Sequence, residues 1–152
     1  MIRAVLDANV LVSAAINPRG TPARLVAQWR VERFDVVVSD ALMRELYEVL
    51  HYPKILVRHG WSETQMRSFV GELAHYAIRT PGRLTLMVIA DDPPDNRYLE
   101  CAVEGEADFL VSGDQLLLNL GEYQGVKILT RVPFSMCSKR SHSPEDLMIH
   151  WR

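Results

Sequence analysis

Four carboxylates, Asp7, Glu45, Asp95 and Asp114, fall at corresponding points of a repeating pattern in which short apolar runs alternate with helices. Asp7 directly follows the run Ile2–Leu6, and Asp114 follows Asp108–Val111 through Ser112-Gly113. Asp95 stands at the cap of the helix leading into that later run, and Glu45 lies about one turn into the helix after Phe34–Val38. In a parallel α/β sheet, ligands bind beyond the carboxyl ends of the strands, so acids in these places converge at one end. Crowded carboxylates repel and raise one another's pKa, which a cation relieves. An all-oxygen donor set selects magnesium or manganese over zinc, as one or two ions. Two such ions about 3.5–4 Å apart activate a water on one side and stabilise a leaving oxygen on the other, the arrangement of phosphodiester cleavage. Taken singly, each acid has an ordinary reading as a helix cap, a turn residue or a solvated helix position, and Asp91 and Asp92 compete with Asp95 within DDPPDN. Joint placement is what points to a metal site.

The elements that must position these acids have their own signals. Five strand candidates, Ile2–Leu6, Phe34–Val38, Leu84–Ile89, Asp108–Val111 and Val126–Leu129, mostly lack strict alternation, as expected of strands covered on both faces. Thr21-Pro22 opens a helix carrying Leu25, Val26 and Trp29 on one face. Ser39 or Asp40 caps the next, with the stripe Leu42, Met43, Leu46, Val49 and Leu50, and Tyr52-Pro53 ends it. From Ser62 a long helix runs through Met66, Phe69, Val70, Leu73 and Ala77 to Pro81-Gly82. Asp95 or Asn96 caps a helix with Leu99, Ala102 and Val103. This alternation defines an α/β fold with a parallel sheet in one domain over residues 1–134, followed by a tail, 135–152, where Ser143-Pro144-Glu145-Asp146 is a helix start.

Composition bounds the remaining possibilities. With 152 residues, 48% hydrophobic and 24% charged, the chain is neither disordered nor collagen-like. Cys101 and Cys137, lacking CxxC or CxxxH spacing, fit a reducing cytoplasm rather than a disulfide scaffold or a zinc pair. Asp7 interrupts the signal-like start MIRAVLDANVLVSAAI, and no apolar run approaches the roughly 20 residues of a membrane span, so a soluble cytoplasmic protein is expected. Net charge is −2, but residues 1–90 carry an excess of three cations and residues 91–152 an excess of five anions. Cation binding by the four acids would bring the remainder to +2. Arg3, Arg19, Arg24, Arg44, Lys54 and Arg58, from the basic half, are candidate phosphate contacts.

LDANVLVSAA, VVVSDALMRELYEVLHYPK, DDPPDNRYLECAVEGEADFLVSGDQLLLNL and GVKILT, in that order over residues 2–130, resemble the PIN-domain ribonucleases, in particular the toxin branch related to VapC toxins. The resemblance implies a three-layer domain with a five-stranded parallel sheet ordered 3-2-1-4-5 and flanked by helices. It also implies a magnesium- or manganese-dependent endoribonuclease site of Asp7, Glu45, Asp95 and Asp114. Asp95 is then preferred over Asp91 and Asp92, because it precedes Asn96 and the helix as in the family's pattern. Asn9, Ser112 and Asn96 match polar positions that could orient a carboxylate or a metal-bound water. Two positions depart from the pattern: Leu116 stands where a fifth acid is usual, and Pro94 replaces an acid before Asp95. A weakly held second ion and single-metal activity follow from that loss. RNA as substrate, a small antitoxin and a homodimer are implied by the resemblance alone.

Two rivals share these features. LDANVL is also similar to the nucleophile strand of haloacid-dehalogenase-type phosphatases, but Asn9 stands where a second aspartate belongs and Leu118 where a later acid does. The other rival, suggested by Leu116, is a catalytically weak or inactive PIN-fold module that binds RNA or protein.

Overall fold

A computed structural model describes residues 1–89, 93–133 and 148–150. In chain order the elements are β1 (Arg3–Leu6), α1 (Ala8–Ile16), α2 (Thr21–Arg30), β2 (Asp35–Val38), α3 (Asp40–Leu50), α4 (Pro53–His59), α5 (Glu63–Tyr76) and β3 (Ile78–Arg79). There follow α6 (Pro93–Glu104), β4 (Phe109–Val111), α7 (Gln115–Leu120), β5 (Glu122–Tyr123), β6 (Val126–Leu129), β7 (Arg131–Pro133) and β8 (Met148–His150). The main sheet runs β3-β2-β1-β4-β6-β5, with β5 antiparallel to β6 and every other pairing parallel. Its five parallel strands have the expected 3-2-1-4-5 order, and β5 adds a sixth, edge strand. Ala4, Val5, Leu6, Val36, Val37, Val38, Leu110 and Val111 are all buried, which accounts for the continuous apolar runs.

The third strand is not where the apolar run Leu84–Ile89 placed it. Ile78 and Arg79 pair with Val37 and Val38, ending α5 at Tyr76 rather than at Pro81. Pro81 has no N–H for the ladder and Gly82 turns the chain at φ 72°, so the following residues leave the sheet. Residues 82–89 instead form an extended strap whose amides are taken up by side chains of α6. The Gly82, Arg83 and Leu84 N–H groups donate to Glu104, and Leu86 N–H donates to Glu100 at 3.0 Å. Val88 and Ile89 N–H donate to Asn96 Oδ1, and Asn96 Nδ2 returns a bond to Ile89 O at 2.8 Å. Asn96, Glu100 and Glu104 are spaced i, i+4, i+8, so one row of the helix does what a neighbouring strand would do.

Other boundaries shift for readable reasons. Pro53 does not stop the chain from being helical: with its φ preset and no N–H to lose, it opens α4. Pro93 likewise opens α6, so Asp95 and Asn96 sit inside the first turn rather than capping it. At the other end of α6, Gly105 admits no side chain, since a Cβ there would stand 2.3 Å from Val37 Cγ1. Helix α3 is tied to α5 by His51, whose Nδ1 faces Tyr47 O at 2.6 Å and whose Nε2 faces Glu63 Oε2. The Tyr47 carbonyl and then Glu63 raise the His51 pKa, while the Tyr47 hydroxyl and then His51 draw Glu63 down to about 2.

In the tail, Met148–His150 pair antiparallel with β7 and so do not continue a helix; the start at Ser143 lies outside the described residues. Among the described residues, no helix is long and apolar enough to cross a membrane.

Asn96→Ala removes three hydrogen bonds and leaves the buried Ile89 amide unsatisfied. We expect a loss of about 2–4 kcal/mol in urea unfolding, with Asn96→Asp, which keeps the acceptors, losing less.

Candidate active site

Strand register brings the first two acids together. Leu6 of β1 lies beside Val111 of β4 in a parallel pair, so the next residues, Asp7 and Ser112, emerge side by side. Asp7 N–H donates to Val111 O at 3.1 Å, and the Ser112 hydroxyl donates to Asp7 Oδ2. Asp7 Oδ1 accepts from Val10 N at 2.9 Å, capping α1. Ser112 Oγ in turn accepts from Asp114 N, and Asp114 Oδ1 caps α7 by accepting from Leu116 N at 2.9 Å. One serine therefore links two of the acids.

Glu45 reaches the same place from α3. Its Oε2 accepts from the hydroxyl of Tyr98 on α6, and that hydroxyl oxygen accepts from Ala8 N, the first amide of α1. Tyr98 is 5% exposed, and burial followed by the bond to Glu45 holds its phenol protonated well above the ordinary tyrosine range. Asp95, itself buried, is three residues before Tyr98 and on the same face of α6, and its neighbour Pro94 lines a surface groove with Glu45.

The electrostatics show which charges reach one another. Asp7 is 3% exposed, and its pKa is pushed up to about 6. Burial is the main cause; the bonds from Ser112 and Val10 oppose it, and the negative charges of Glu45 and Asp114 add to it. Asp7, Glu45 and Asp114 thus form one field of like charge. In kind, this all-oxygen set fits a hard divalent cation, which would offset both the burial and the repulsion. In spacing, no three His, Cys, Asp or Glu side chains among the described residues are grouped as a metal cage. Each of the three carboxylates has an oxygen committed to a partner, Asp7 to Val10, Glu45 to Tyr98 and Asp114 to Leu116.

The remaining sequence candidates divide. Asn9 is exposed on the first turn of α1. Asn96 is buried but spends its amide on the strap rather than on a carboxylate. Arg3 begins β1 whereas Asp7 follows it, so Arg3 lies at the opposite end of the sheet, where its guanidinium meets Gly105 O at 3.1 Å. Arg19 and Arg24 are exposed around the start of α2, with Arg24 bound to Thr21, and Lys54 and Arg58 are exposed on α4. Arg44, next to Glu45, lines the same groove as Pro94. Tyr98 and Arg97 were not among the candidates. A phenol three residues after Asp95, on a helix face otherwise filled by Leu99 and Ala102, was the available signal.

The PIN domain family profile matches residues 3–116. A carboxylate-bearing switch point on a 3-2-1-4 parallel core is thus that of a PIN domain, and the chain belongs to this family, whose members are generally nucleases. It is also similar to the uncharacterized protein MJ1680 of Methanocaldococcus jannaschii, at 26% identity over 119 residues, covering 78% of this chain and 75% of that protein.

A folded-state pKa above the unfolded value means that the fold favours the protonated form of Asp7. Metal-free stability therefore declines as pH rises from about 4 to about 6, and Asp7→Asn escapes that decline. In chelator at pH 8, Asp7→Asn should be more stable than the parent by roughly 2–3 kcal/mol, a gap that shrinks toward pH 4 in denaturant titrations.

Proposed function

We propose that this protein is a magnesium- or manganese-dependent endoribonuclease that hydrolyses RNA phosphodiester bonds, with Asp7, Glu45, Asp95 and Asp114 as its metal ligands. The observation that supports this most is the buried Asp7 carboxylate at the end of β1, within the field of Glu45 and Asp114 in a PIN fold. Such an ion supplies activation of water and charge stabilisation at the phosphate and the leaving oxygen. The chain's own groups do the positioning. Ser112 fixes the Asp7 carboxylate and aligns Asp114 through its backbone amide. Tyr98, kept protonated, holds Glu45 against the start of α1 so that one Glu45 oxygen stays directed by the fold. Asn96, the residue after Asp95, is itself anchored through its bonds to Ile89 of the strap. With Leu116 in place of a fifth acid, and 41% exposed, one ion is held more tightly than a second.

The finer biological reading, the toxin of a toxin–antitoxin pair with a small antitoxin and a cytoplasmic homodimer, rests on the motif resemblance. Leu116 favours the alternative, an inactive PIN-fold binding module.

Labelled single-stranded and hairpin RNAs incubated with the protein in manganese or magnesium should be cut internally, and chelator should stop the cutting. Asp7→Asn and Asp114→Asn should each lower the rate roughly 100-fold or more while the fold is retained. Manganese that neither supports cleavage nor raises the melting temperature would establish the binding module instead. For the toxin reading, induced expression of the parent should arrest growth and that of Asp7→Asn should not.

A further inference from the structure

Two surface depressions meet at one pair of arginines. The first, a shallow groove of about 500 Å³, is lined by Glu45, Pro94 and Tyr52 together with Arg44 of α3 and Arg97 of α6. The second, a pocket of about 320 Å³, lies between the start of α3, α6 and the beginning of the strap, and Arg44 and Arg97 line it too. Both arginines line the groove that carries Glu45 as well as the pocket, so the guanidinium pair flanks a path from Glu45 into the pocket. Both arginines are exposed; Arg97 Nε meets Glu100 at 3.2 Å, which leaves its other donors open.

We propose that this path is a subsite for one nucleotide of single-stranded RNA next to the cleaved bond: Arg44 and Arg97 clamp its phosphate, and the pocket takes its base. The proposal rests on the ribonuclease reading for its substrate, but the clamp stands or falls separately.

Size and chemistry both support a single nucleotide. Ligand pockets run from roughly 300 to 1,000 Å³, so this one is at the small end and suits one base rather than a longer segment. Guanidinium forks suit phosphate oxygens, and they also stack on unpaired bases, which only a single strand presents. The walls are rich in acceptors. Ser39 and Thr80 bring hydroxyls, and Asp40, Glu100 and Glu104 bring carboxylates. Glu104 is occupied by the strap amides, Glu100 by Leu86 N–H and Arg97, Ser39 Oγ by Leu42 N–H and Asp40 Oδ1 by Arg79, which leaves the second oxygen of Asp40 as the open carboxylate acceptor at the rim. The free Asp40 oxygen, which can only accept, favours a base with an exocyclic amino group, cytosine or adenine, over uracil, which has none.

The test separates binding from cleavage by using the Asp7→Asn chain and measuring fluorescence anisotropy of a labelled uridine nonamer with or without cytidines. Arg44→Ala and Arg97→Ala should each weaken binding and reduce the slope of log K against log salt by about 0.7, the value for one phosphate contact on a single strand. Arg44→Lys should restore the slope with lower affinity, which loss of fold would not do. Cytidine-containing nonamers should bind several-fold more tightly than the all-uridine one. Unchanged slopes in both alanine variants overturn the clamp even if the parent protein cuts RNA, and equal binding of both nonamers overturns the base pocket. Slopes that fall as expected in a protein that never cuts RNA keep the subsite and remove the nuclease.

Discussion

A carboxylate that must sit in the interior beside two others constrains everything around it. Asp7 follows the central strand of a parallel sheet, where burial opposes its charge and Glu45 and Asp114 oppose it further. Two hydrogen bonds offset this cost in part, from the Val10 amide at the start of α1 and from the Ser112 hydroxyl, which the register of β1 and β4 sets beside it. Neither of them neutralises the charge. What remains is a site of concentrated negative potential at the end of the core strand pair, of the kind that a hard cation would offset.

Helix α6 distributes that constraint over the rest of the domain. Asp95 and Tyr98 share one face, from which the Tyr98 hydroxyl reaches both Glu45 on α3 and the first amide of α1. Asn96, Glu100 and Glu104 form another face, which binds the strap. Arg97 stands beside that row and carries charge of the opposite sign into the groove next to Glu45. A single helix thus carries Asp95, positions Glu45 through a phenol and lashes down the strap.

Much of this was legible beforehand. The runs that became β1, β2 and β4 are buried on both faces, and such runs are continuous and apolar in any sequence that makes them, whereas β6 alternates and exposes Lys127. That Asp7, Glu45 and Asp114 share one field was legible for a related reason: each follows such a run or sits near the start of a helix, and a parallel sheet puts those places at one end. Arg3 was misjudged although the information was there, because a residue that begins a strand cannot share an end with the residue that follows it. Leu84–Ile89 was misjudged because an extended apolar run looks the same whether its amides meet a strand or a row of side-chain acceptors. Pro81 was the available warning, since a residue without an N–H does not extend a ladder.

By itself the sequence determined which residues carry charge, where β1, β2, β4 and β6 lie and that Asp7 and Asp114 follow parallel strands at one end of the sheet, because these depend on local pattern and on the direction of the chain. Only tertiary structure decided that Tyr98 bridges Glu45 to α1, that Asn96 serves the strap and that Arg44 and Arg97 meet across a groove. Those contacts join residues distant in the chain, from helices whose relative rotation is set by packing. No local spacing records that rotation.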